Sequence, residues 1–168
     1  MKKAIFSIAM LFVAAAFVSC EKDPIGGTAT EKMAGQWYVK VDIADDNGKV
    51  LYDDPYGLGY MLMLTYNASN NDPNTLWVND MKNFWTFAVK TKCDLDKMTF
   101  STNGPADNQS GDPITVDIKD GKILLGEGRQ PNGSPADSIV FFVKFSDDQD
   151  HLNYKISGHT YSGLAEND

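Results

Sequence analysis

Apolar and polar side chains alternate most cleanly from Gly35 to Ile43, where Trp37, Val39, Val41 and Ile43 share one parity and Gln36, Tyr38, Lys40 and Asp42 the other. A period of two puts successive side chains on opposite faces of an extended strand, so one face is predicted buried and the other wet. Thr30 to Ala34, just before it, has the length of one short helical turn, and Gly35 allows a sharp bend into the strand. Asn47-Gly48 then turns the chain into a return strand, Lys49 to Tyr52; this dipeptide favours a tight hairpin. Asp53 to Gly57 is a turn, and Leu58 to Tyr66 is apolar on both parities. Such a strand is covered on both faces or lines a greasy cavity.

Further short strands are predicted at Thr75 to Asn79, at the aromatic stretch Phe84 to Val89, and at Lys97 to Thr102. Ile114 to Ile118 pairs with Lys122 to Leu125 through an Asp120-Gly121 turn, while Asn103 to Pro113 and Gly126 to Asp137 read as loops. Ser138 to Phe145 places Ile139, Phe141, Val143 and Phe145 on one parity, and His151 to Ile156 does the same with Leu152, Tyr154 and Ile156. His159 to Tyr161 is a last short strand. No long segment keeps a 3.6-residue apolar period, so the chain is predicted all-β. About eight to ten short strands joined by local hairpins make an antiparallel up-and-down β-barrel, with a β-sandwich as the alternative. Barrel closure also removes the edge hazard of a strand as apolar as Leu58 to Tyr66.

The first nineteen residues stand apart from this pattern. Met1-Lys2-Lys3 is basic, and Ala4 to Val18 is apolar except for Ser7, a run too short for a comfortable membrane span and right for a signal peptide. It ends Phe17-Val18-Ser19-Cys20, similar to a bacterial lipobox: a bulky apolar residue three positions before the cysteine and a small one directly before it. Cleavage before Cys20 and its acylation would tether the protein to a membrane, since each buried methylene contributes about 0.8 kcal/mol and two or three chains hold fast. The expected organisation is a signal peptide over 1–19, an anchored linker over 20–29 and a barrel over 30–168.

Charge then narrows the partners. Removing residues 1–19 takes two lysines from the 15 basic residues and none of the 23 acidic ones, leaving a net charge of −10. Nucleic acid and electrostatic adhesion to anionic lipid both need cationic surface and are excluded as expectations, so the membrane is contacted through the acyl chains. With Cys20 acylated, Cys93 has no disulfide partner and is expected to be a packing residue.

The sequence carries no recognisable catalytic or metal signature. Only His151 and His159 are available as imidazoles, there is no G-x-S-x-G or H-E-x-x-H motif, and the paired aspartates match turns rather than a calcium loop. Neither a cofactor nor a metal is expected. A weak esterase remains as a reading that requires one histidine within reach of a serine or threonine hydroxyl. Arg129, the only arginine, lies in a glycine-rich stretch and is expected to be exposed. The candidate ligand-binding set is Tyr60, Met61, Met63, Trp77, Trp85, Phe87, Phe141 and Tyr154, aromatic and Met side chains spread over several strands as they would be around a common interior.

Two stretches carry a family resemblance: the lipobox followed by Gly35-Gln36-Trp37-Tyr38-Val39, and Ser157-Gly158-His159-Thr160-Tyr161-Ser162-Gly163 near the end. Together they resemble the lipocalin-like lipoproteins of Bacteroidetes grouped as lipid-binding putative hydrolases. The resemblance implies a β-barrel, a lipid-anchored place in the cell envelope, expected at the outer membrane, and lipid-type ligands; Trp37 would plug the closed end. The leading expectation is a barrel binding a hydrophobic or amphipathic small molecule such as a fatty-acid-like lipid. The alternative is an accessory surface lipoprotein with a filled core acting through its rim loops, its protein partners unspecified.

Overall fold

A computed structural model describes residues 26–164. The predicted signal peptide, Cys20 and the first part of the linker lie outside the described residues. Ten strands follow a 3₁₀ turn at Glu31–Met33: β1 Gly35–Ala44, β2 Val50–Tyr52, β3 Met61–Asn67, β4 Thr75–Asn79, β5 Ala88–Asp94, β6 Thr99–Ser101, β7 Ala106–Asp107, β8 Thr115–Arg129, β9 Pro135–Phe145 and β10 Asn153–Thr160.

Eight of them close an antiparallel barrel in the order β1, β3, β4, β5, β6, β8, β9, β10. Strand β1 is the seam. Its Trp37–Ala44 stretch pairs with β10 from Thr160 back to Asn153, while its other edge meets β3 at Gly35–Val39 and β2 at Ile43–Ala44. The pairing of first and last strands rules out the open sandwich.

The inward parity is the one the alternation predicts. Trp37, Val39, Val41 and Ile43 on β1, and Ile139, Phe141, Val143 and Phe145 on β9, are buried in one continuous core with Met63, Phe87, Tyr154 and Ile156. At the end where β1 begins, Trp37 donates its Nε1–H to Thr65 Oγ1 at 2.8 Å, and that hydroxyl donates to the Met33 carbonyl at 2.6 Å. Trp37, Met33 and Thr65 together stop that end. The opposite end, where β9 turns into β10, is the mouth.

Several predicted elements change. The Gly126 to Asp137 loop shrinks to 130–134, because β8 runs on to Arg129 and β9 starts at Pro135, and the Asn103 to Pro113 loop carries the short β7. Asp120-Gly121 is no hairpin: β8 continues through it across a bulge, with Asp120 at a φ of 52° and the register shifting between Lys119 and Lys122. A Cβ on Gly121 would lie 2.5 Å from the Phe100 carbonyl oxygen, so the glycine is there to let β6 come close. Phe84 to Phe87 is loop, and the strand is Ala88–Asp94, where Val89, Thr91 and Cys93 are buried and Lys90 and Lys92 exposed. Tyr60 stays outside β3 because Gly57 and Gly59, both with φ of 65°, bend the chain before it. His159 belongs to the same strand as Tyr154, not to a separate one.

Candidate functional site: the aromatic mouth

The mouth is built around one carboxylate. Asp80 is fully buried, and its two oxygens accept the backbone N–H groups of Lys82, Phe84, Trp85, Thr86 and Phe87. Five donors on one side chain fold residues 80–87 into a compact cover in which Met81, Lys82 and Thr86 take positive φ. That conformation is costly for residues with a Cβ, so the hydrogen bonds hold it against its own strain.

The cover delivers Phe84 and Trp85 onto the barrel end. Trp85 lies parallel to Phe145, with ring centroids 4.5 Å apart, and donates its Nε1–H to Asp147 Oδ1 at 2.9 Å. Phe84 meets Phe145 at 5.8 Å and Tyr154 at 5.2 Å edge to face, the geometry in which aromatic quadrupoles attract. Tyr154 rises from β10, fully buried, and its hydroxyl donates to Asp148 Oδ2 at 3.1 Å. With that proton committed, the Tyr56 hydroxyl is the donor to Tyr154, also at 3.1 Å. Burial, the Tyr56 hydroxyl and the Asp148 charge together push the Tyr154 phenol well above its ordinary range. Asp148 is itself buried and fixed by the N–H groups of Asp150 and Leu152. The result is an apolar aromatic cluster with a short polar chain inside it.

A family model described as a lipid-binding putative hydrolase matches residues 22–165. The chain belongs to this family. No curated protein matches it. The resemblance seen at the two ends of the sequence therefore runs through the whole β-barrel of this family member.

The predicted ligand-binding side chains divide into three groups. Met61, Met63, Phe87, Phe141 and Tyr154 are brought together in the barrel interior, and Trp85 is half-buried against them at the mouth. Tyr60 is outside, 47% exposed and stacked on Tyr38 at 5.4 Å. Trp77 is on the outer face too, stacked on Tyr66 at 6.0 Å with Lys90 Nζ 5.2 Å from its ring. Tyr56, Phe84, Asp80 and Asp148 were not among the candidates. In sequence Tyr56 and Asp148 read as turn residues, Phe84 reads as a strand residue, and Asp80 falls between two predicted strands with nothing to mark the five backbone groups it holds.

Cys93 is buried, its thiol pushed up by desolvation, and its Sγ reaches the Pro73 carbonyl at 3.4 Å. Arg129 sits at the far end of the barrel, its guanidinium donating to the carbonyls of Gly126 and Gly128. His151 is exposed in the β9–β10 turn. His159 is buried beside Tyr60 and Tyr38, and its Nε2 makes no hydrogen bond. Ser138 stands opposite it on β9, but that hydroxyl donates to the Gly158 carbonyl at 2.8 Å. Nε2 therefore does not hold a nucleophile. Two grooves lie away from the mouth: one of about 680 Å3 where β5, β6 and β8 meet, lined by Lys92 and Lys122 and by the core side chains Phe100 and Ile118, and one of about 330 Å3 beside Asp46, Phe142 and Lys144.

Proposed function

We propose that this protein is an acylated envelope lipoprotein that binds a lipid-type amphiphile at the mouth of its barrel. The aromatic cluster of Phe84, Trp85, Phe145 and Tyr154 carries the reading, because these rings close the barrel by side-chain packing and can yield to an acyl chain of matching chemistry. The family's lipid-binding description supports the ligand class. The side chains that would make way are the half-buried Phe84 and Trp85, while Asp80 keeps hold of the backbone beneath them. Cys20 supplies the anchor, expected at the outer membrane.

The test is native mass spectrometry with lipid extraction on the chain purified from a bacterial host without added ligand. A co-purifying lipid near one equivalent supports the reading; an empty protein that also leaves an apolar fluorescent probe dark removes it. For the anchor, Cys20→Ser is expected to leave the protein in the soluble fraction, whereas continued membrane fractionation would exclude acylation at that thiol.

A second reading, an accessory lipoprotein with a filled core, draws on the full burial of Met63, Phe87, Phe141 and Tyr154. It predicts the empty, probe-silent protein.

A further inference from the structure

The barrel wall is thinnest at β6. This strand has three residues and meets β8 in register only at Thr99–Lys122 and Phe100–Gly121, next to the bulge at Asp120. On the other side of the bulge a side chain stands in for the ladder, with Thr102 Oγ1 accepting the Ile118 N–H at 2.8 Å. Phe100 and Ile118, both core residues, line the groove of about 680 Å3 at this place, and Phe100 packs on Phe141 inside the barrel at 5.6 Å. That volume falls in the range of about 300–1,000 Å3 of small-molecule sites. Gly104 also lines the groove, and a Cβ there would meet nothing within 4 Å, so the groove is uncrowded at that end.

The groove offers donors that the protein leaves uncommitted. Lys92 on β5 and Lys122 on β8 line it from either side of β6 and are exposed. Neither belongs to the salt bridges among the described residues, which are Lys40 with Asp53, Lys97 with Asp94, Lys119 with Asp117 and Lys144 with Asp46. Asn103 accepts from the Ser101 hydroxyl through its Oδ1 at 2.9 Å, which leaves its amide N–H groups without a partner among the described residues. The acceptors are largely engaged. Asp94 takes Lys97 Nζ at 2.7 Å and the backbone N–H groups of Asp96 and Lys97. Asp120 is the remaining carboxylate of the lining, against the two lysines. On a chain with 23 acidic and 15 basic residues, this local excess of positive charge runs against the overall balance. Solvated lysines alone hold an anion weakly. Beside an apolar floor they select the head group, while removal of a chain from water supplies the affinity.

We propose that this groove is a second binding site, separate from the aromatic mouth, for a single-chain amphiphile with an anionic head group, carboxylate or phosphate. Lys92, Lys122 and the Asn103 amide hold the head, and the chain lies against Phe100 and Ile118.

The experiment is calorimetric titration of the full mature chain carrying Cys20→Ser, which keeps it free of acyl chains of its own. The probes are dodecanoate, dodecyl phosphate, dodecylamine and inorganic phosphate, the amphiphiles below their micellar concentrations. An anionic amphiphile is expected to bind at least about tenfold tighter than dodecylamine, and less tightly as salt is raised. Tight binding by one of the two anions suffices and names the head. Lys92→Gln combined with Lys122→Gln is expected to weaken it at least about tenfold, and Asp120→Asn to strengthen it about twofold. All three side chains are exposed, so these substitutions leave the fold intact. Dodecylamine binding as tightly as the anions, or anion binding unchanged in the double lysine variant, would overturn the groove. Inorganic phosphate binding as tightly as dodecyl phosphate would overturn the amphiphile, since the apolar floor would then contribute nothing. Binding lost in Trp85→Ala but kept in the double lysine variant would place the ligand at the mouth, overturning the groove and leaving the lipid-binding reading standing. Failure of both anionic amphiphiles to bind would overturn the groove alone, because the mouth is tested separately by its co-purifying lipid.

Discussion

Trp37 and Thr65 lock the closed end of the barrel through one hydroxyl, which accepts from the indole at 2.8 Å and donates to the Met33 carbonyl at 2.6 Å. Thr65 is 2% exposed, so water cannot replace either bond. Thr65→Val keeps the shape and orphans both the indole N–H and the carbonyl, and is expected to cost about 2–4 kcal/mol. Thr65→Ser keeps the hydroxyl and is expected to lose about 1 kcal/mol for the missing methyl. Urea unfolding with an unchanged m value checks both. Equal losses in the two variants would mean that packing, not the hydrogen bonds, holds this end.

At the mouth, Asp80 does the corresponding work with five backbone donors. Asp80→Ala leaves the buried Phe87 N–H without an acceptor and releases a cover whose residues 81, 82 and 86 sit at positive φ. A loss of about 3 kcal/mol or more is expected, together with red-shifted Trp85 emission as the ring leaves Phe145. Asp80→Asn retains one oxygen acceptor and should lose less. If Asp80→Ala unfolds at the wild-type urea midpoint, the carboxylate does not hold the cover.

The barrel was legible in the sequence wherever one face is wet: the alternation of β1 and β9 reads directly, and Asn47-Gly48 makes the predicted hairpin between Ala44 and Val50. The cover was not legible. Phe84, Trp85 and Phe87 have the composition of a strand, and what overrides that preference is a carboxylate up to seven residues away in sequence. The Asp120-Gly121 dipeptide misled for a related reason, since its glycine answers to the Phe100 carbonyl on another strand rather than to a turn. Among the ligand candidates, Tyr60 and Trp77 fell outside because aromatic content alone carries no parity, whereas Met61, Met63, Phe87, Phe141 and Tyr154 converge inside.

Barrel closure depends on Gly158. A Cβ there would lie 2.0 Å from the Tyr38 carbonyl oxygen and 2.7 Å from the Val39 Cα, both of them backbone of β1. Nothing flexible is available to move, so Gly158→Ala must part β10 from β1 and is expected to cost about 3 kcal/mol or prevent folding. Gly126→Ala is the control: it meets nothing within 4 Å, and its φ of 71° should cost only about 1 kcal/mol. Comparable midpoints for the two variants in thermal unfolding would contradict the close approach.

Burial of His159, with no hydrogen bond at Nε2, holds its imidazole below the ordinary value of 6.5. In the unfolded chain the ring takes up a proton at its ordinary value. Between that value and the lower native one the unfolded state therefore binds more protons, so stability falls as pH falls through the window and levels off below the native value. One group can contribute a slope of at most about 1.4 kcal/mol per pH unit. His159→Phe preserves ring contact with Tyr60 and Tyr38 while removing the titration and the orphaned nitrogen. It is expected to unfold with a flatter pH profile between about pH 7.5 and pH 5.5, and to gain stability toward the acidic side. Urea midpoints measured across that range decide it, for an identical slope in both proteins would place the pH dependence on other groups.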